Sequence, residues 1–112
     1  MMKYPGLWLV FILLPMCCST NGPDGPESII TFTRTFDLSD EDWAQDVIQT
    51  HDGGYVVVGY VHTTIWDICI LRLDRYGELV WIKILGTVGI DRGWSVIEND
   101  DKSIIVVGQT QE

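Results

Sequence analysis

The chain has 112 residues, of which 46% are hydrophobic, and it carries a formal net charge of −9. That acidity excludes nucleic acid and anionic membrane as electrostatically driven partners. Three cysteines are present, and only Cys69 lies in the body of the chain, so no internal disulfide framework can form there. Met1 to Gly6 contains one basic residue, Lys3, and Leu7 to Leu14 (LWLVFILL) is an unbroken apolar run. A short basic start, a short apolar run and then small residues is the layout of a secretory signal peptide, here residues 1–20. The run is far shorter than the roughly 20 apolar residues of a membrane span. A buried N-terminal strand or helix is the other reading of the same residues.

Cys17 and Cys18 close the apolar run, and with Leu14 they resemble a bacterial lipoprotein signal, in which the processed chain begins with a lipidated cysteine. Pro15 and Met16 stand where that pattern prefers small residues, and ordinary cleavage near Ser19 or Thr20 is the competing route. Residues 21–29, containing NGPDGPES, are polar and rich in Gly and Pro and read as a tether. Export places the protein outside the cytoplasm, secreted or held at the cell surface by lipid. The remaining chain sets six basic residues against sixteen acidic ones and suffices for one small domain.

Residues 47–50, 55–60, 67–73 and 79–85 are short runs rich in Val, Ile, Tyr and Trp, each bounded by turn residues, and are predicted strands. His51–Gly54 (HDGG) and Asp74–Glu78 (DRYGE) carry the Asp and Gly of tight hairpins. No segment shows helical periodicity with caps. The runs YVVVG and SIIVVG are apolar on both strand faces, which requires a sheet covered on both sides.

The body of the chain repeats. Laying Ile30–His62 over Leu79–Gln111, a shift of 49, aligns Val47-Ile48 with Val96-Ile97, Asp52 with Asp101, and Val57-Val58-Gly59 with Val106-Val107-Gly108. Asp42 then meets Asp91 and Ala44 meets Gly93. A period of 40–50 residues is the signature of a propeller blade or similar array. In its order of Asp, Ala/Gly, Val-Ile, DGGYVVVG and LDRYGELVWIK, the chain resembles a β-propeller repeat of secreted prokaryotic proteins and the broader quinoprotein (PQQ-type) propeller repeat. Leu73, Asp74, Gly77 and Trp81 occupy the recurring positions. The resemblance implies an all-β fold of antiparallel four-stranded blades. It makes Ile30–Phe36 an outer strand, 46–85 a full blade and 95–109 half of another. It also places Ala44 and Gly93 just before the innermost strands, Gly59 and Gly108 at strand ends, and Trp81 between blades. In the second copy Lys102 and Ser103 replace the Gly pair, which weakens the hairpin expectation there. A closed propeller needs about four to eight blades, so the reading is of an incomplete propeller with exposed edges.

Little chemistry is written in these residues. Asp37, Asp40, Glu41 and Asp42, with Asp91 in the second copy, form an acidic cluster that reads as a solvated loop, the alternative being a hard-cation site. His51 and His62 lack zinc-ligand spacing, and Ser39 and Ser95 have no identifiable base partner. Trp43, Trp66, Trp81 and Trp94 read as packing residues, with a carbohydrate-stacking platform as the alternative. The sequence assigns no catalytic, cofactor or metal residue, and its one modification candidate is lipid attachment at Cys17 or Cys18. The expected role is interaction or binding, with a protein or glycan as partner. A fragment of an extracytoplasmic quinoprotein-like enzyme and a self-assembling structural module are the alternatives.

Overall fold

The computed structural model describes residues 8–11 and 31–112. Among them are eight strands and no helix. β1 (Trp8–Phe11) pairs with β2 (Thr33–Phe36). β3 (Asp42–Gln49), β4 (Tyr55–His62), β5 (Trp66–Leu73) and β6 (Leu79–Leu85) form a four-stranded meander in that order. β7 (Ile90–Glu98) and β8 (Ile104–Gln111) form a separate two-stranded sheet. All pairings are antiparallel. The four-stranded sheet is open, with β3 and β6 at its edges. Cys17, Cys18 and the tether lie outside the described residues, as does most of the expected leader.

The repeat is reproduced at the level of single hydrogen bonds. Asp42 accepts from the backbone N–H of Leu38, and Asp91 accepts from that of Thr87, each four residues back. β3 carries a bulge between Ala44 and Asp46, and β7 carries one between Gly93 and Ser95, one repeat later. The hairpin loops also match: Thr50 N–H donates to Gly54 O and Gly53 N–H to Thr50 O, while Asn99 N–H donates to Ser103 O and Lys102 N–H to Asn99 O. Asp52 Oδ1 accepts from Gly54 N–H and Asp101 Oδ1 from Ser103 N–H. The second hairpin therefore forms without the Gly pair. Lys102 takes the left-handed conformation (φ 67°) that Gly53 takes in the first (φ 84°), a conformation that costs an L-residue about 1–2 kcal/mol.

Three expectations about boundaries are corrected. The first strand of the four-stranded sheet begins at Asp42 rather than Val47, because the bulge at Gln45 lets Asp42–Ala44 stay paired with β4. Ala44 and Gly93 lie within β3 and β7, paired with Gly59 and Gly108, instead of preceding the strands. Gly59 and Gly108 are correspondingly interior to β4 and β8. Close approach of the two sheets explains the glycine at 93. A Cβ there would stand 2.6 Å from Val58 Cγ2 and 2.9 Å from Gly59 O.

Both faces of the central strands β4 and β5 are covered, as their doubly apolar runs require, while the edge strands β3 and β6 stay largely exposed. On one side Tyr55, Val57, Val61, Cys69, Leu71 and Leu73 form a core with Phe32, and Phe36 and Leu38 pack against it. Phe32 meets Tyr55 edge to face at 5.5 Å and lies over Gly77, where a Cβ would stand 2.4 Å from its ring. On the other side Val56, Val58 and Ile70 form a core with Val96 of the two-stranded sheet, flanked by Ile48, Ile68, Trp81, Ile104 and Val106. This second core is the seam between the repeat copies. Two polar contacts fasten it. Asp46 Oδ2 accepts from Ser95 Oγ (3.0 Å) and Val96 N–H (2.9 Å), and Glu98 Oε2 accepts from the His51 backbone N–H at 2.7 Å.

Candidate functional site

The largest concentration of aromatic side chains lies at one end of the seam, around Tyr60. Its position follows from strand alternation and from one bulge. Trp43, Tyr60 and Trp66 are cross-strand neighbours or near neighbours on the seam side of β3, β4 and β5, since Trp43 pairs with Tyr60 and Trp66 with His62. Trp94 is the residue at the β7 bulge, which re-aims its side chain towards the other sheet. Trp43 stacks on Tyr60 with ring centroids 6.4 Å apart, Trp66 meets it edge-on at 5.3 Å, and Trp94 does so at 6.1 Å. His62 adds a ring 4.9 Å from Trp66. Polar groups frame these rings: the Arg92 guanidinium lies 5.5 Å from the Tyr60 centroid, and Gln45 Nε2 reaches Tyr60 Oη at 3.5 Å.

This cluster is not a closed core. Trp43 remains 55% exposed and Trp94 41% exposed, while Tyr60 and Trp66 are half-buried. Flat apolar rings beside amide and guanidinium donors can stack on an apolar ligand face and hydrogen-bond its rim. Of the four tryptophans weighed as a platform, Trp81 stands apart. It packs against the seam core, with Lys83 Nζ 5.2 Å from its centroid. The sequence offered no direct sign of Tyr60, Arg92, Gln45 and His62 as members. A tyrosine after the Gly of YVVVG is an ordinary strand residue until β3, β5 and β7 converge on it.

Of the acidic cluster, Asp37, Asp40 and Glu41 are exposed, as a solvated loop requires, and Asp42 and Asp91 depart from that reading. Asp42 and Asp91 are buried and close the loops that precede β3 and β7. Asp42 accepts from Leu38 N–H (2.7 Å) and Ser39 N–H (2.9 Å). Asp91 accepts from Thr87 N–H, and this bond, with hydroxyl donation from Thr110 and Thr87, holds its carboxyl below the usual range. Among the described residues no group of three or more His, Cys, Asp or Glu is placed to hold a metal ion. Ser39 Oγ bonds Asp42, and Ser95 Oγ bonds Asp46, so each hydroxyl serves a loop or the seam. His51 Nδ1 lies 3.0 Å from Glu98 Oε2, which ties the first hairpin to β7. Cys69 is fully buried, and burial, with the Asp42 carboxylate adding to it, pushes its thiol up to about 12. The nucleophilic thiolate is suppressed at such a site.

No protein-family model, curated protein or solved structure matches this chain.

Proposed function

We propose that the protein is an extracytoplasmic binding module built from propeller-type blade repeats, and that it engages a glycan through the aromatic surface around Tyr60. One observation carries the ligand class: two partly exposed indoles, Trp43 and Trp94, flank Tyr60 beneath the Arg92 guanidinium. Pyranose rings present C–H faces that stack on such rings, while their hydroxyls suit guanidinium and amide donors. The four-stranded meander with a second sheet stacked on its face at the repeat spacing supports the blade reading. The apolar run Leu7–Leu14 supports export and a cell-surface location, with Cys17 or Cys18 as lipid attachment points.

Titration of the full chain with a panel of soluble β-linked oligosaccharides, followed by tryptophan fluorescence and calorimetry, tests the proposal. A saturable change with at least one sugar is expected, weakened about tenfold or more in Trp43→Ala and Trp94→Ala. Equal responses of the wild type and both variants across the panel overturn it.

A further inference from the structure

The chain sets 7 Lys and Arg against 16 Asp and Glu, so its arginines have carboxylates in ample supply. Arg34 and Arg72 use them: Arg34 Nη2 meets Glu78 Oε1, and Arg72 Nη2 meets Asp52 Oδ2 at 2.7 Å. Arg92 does not. Among the described residues no carboxylate pairs with it, and its half-buried guanidinium lies over the Tyr60 ring, 5.5 Å from the centroid. The carboxylates nearest in sequence and strand register are committed elsewhere. Asp91 is buried and accepts from Thr87. Asp46 accepts from Ser95 and Val96 across the seam. Asp67 accepts from Thr63 Oγ1 at 2.6 Å. A ring face offsets part of the cost of desolvating a cation, but it leaves the planar fork of N–H donors without an oxygen acceptor.

We propose that Arg92 is the anion-recognising group of the aromatic surface and that the ligand there is an acidic glycan, a sugar carrying a carboxylate or a sulfate. The inference rests on the glycan reading and narrows it. Trp43 and Trp94 flank Tyr60 and offer flat faces to the sugar ring. Arg92 reaches the same tyrosine from β7, two residues before Trp94, so an acid substituent on a stacked sugar meets its guanidinium. The guanidinium fork matches two oxygens of a carboxylate or sulfate at once, a match that a neutral hydroxyl does not offer. The net charge of −9 opposes an anion. That field is screened beyond about 8 Å at physiological ionic strength, whereas the Arg92 contact is direct and partly desolvated. Preference for the acidic sugar therefore depends on this one residue.

Calorimetric titration of the full chain with matched tetrasaccharides tests it. Each β-1,4- or β-1,3-linked sugar is supplied neutral, oxidised at C6 to the carboxylate, and sulfated at C6. The wild type is expected to bind an acidic member about tenfold or more tightly than the neutral member of the same linkage. A gain for the carboxylate alone identifies a uronic acid as the ligand, and a gain for both identifies either anion. Arg92→Gln should bring that ratio to about one or below, and Arg92→Lys, which keeps the charge without the fork, should retain part of it. Trp43→Ala should weaken acidic and neutral members alike and leave the ratio in place. Far-ultraviolet circular dichroism checks that each variant is folded. A wild type that binds neutral and acidic members equally overturns the inference and leaves the glycan reading standing. Binding of no sugar overturns both. An acidic preference that survives in Arg92→Gln also overturns the inference, because the anion is then held elsewhere.

Discussion

Val58 and Val107 occupy the same place in two copies of one repeat. The first has no exposed surface and the second is 60% exposed. The strands that hold them have matching bounds, matching bulges and matching hairpins. What differs is the neighbour: β7 and β8 lie over Val58, and nothing among the described residues lies over Val107. Local structure in this repeat is therefore set within each copy, whereas burial is set by the copy that follows. The difference also explains why the strands are apolar on both sides. The central strands bury one side against the second copy and the other against the Phe32 cap.

Equivalent substitutions can sharpen that comparison. The largest effect is expected from truncating the seam. Val58→Ala should lower stability by about 2 kcal/mol, because it leaves a void beside Val96 that the packed sheets cannot fill. The same change at Val107 should stay within about 0.5 kcal/mol. Urea denaturation of both variants checks this, and equal losses would mean that the copies are equally covered.

A smaller effect of opposite sign separates the hairpins. Lys102→Gly relieves a left-handed backbone at a non-glycine residue and should stabilise the chain by about 1 kcal/mol. Gly53→Lys imposes the same strain on the first copy and should cost a similar amount. There the new Cβ also meets the Arg75 guanidinium at 3.3 Å. Thermal melts of the two variants should move in opposite directions.

The smallest difference concerns acid. Hydrogen bonds from Thr50 and Gly54, and then Arg72, hold the Asp52 carboxyl at about 2, against an ordinary value of 3.8. Its counterpart Asp101 is also lowered, by the Ser103 hydroxyl and backbone N–H and then by its own backbone N–H, without an arginine. A carboxyl depressed on folding adds stability above its unfolded value, and that stability is lost as the pH falls through the folded value. Acid titration of stability should therefore show a loss as pH falls from about 4 towards 2, flattened more by Asp52→Asn than by Asp101→Asn. Both carboxylates are exposed and screened, so the effect should shrink with added salt.

Much of this architecture was legible before any coordinates. The hairpins announced themselves through Asp and Gly at fixed positions. The shift between Asp52 and Asp101 named the repeat, and YVVVG required a sheet with two covered faces. The strand starts were less legible, because Asp42, Gln45 and Asp46 look like loop residues. Their polar atoms are satisfied by the Leu38 loop, by Tyr60 and by Ser95 and Val96 of β7, and those partners appear only once the strands are assembled. For the same reason Asp42 looks like its exposed neighbours Asp37, Asp40 and Glu41 in the sequence, although it closes a loop from a buried position.

The sequence by itself determined an all-β chain, its hairpins and its two-copy repeat, because turn chemistry and strand alternation act over a few residues. Only the tertiary structure decided which copies of the apolar faces are covered. It alone gathered Trp43, Trp66 and Trp94 around Tyr60 and sent Trp81 to the seam, because those outcomes depend on how one sheet lies across another, and no local pattern of residues encodes that.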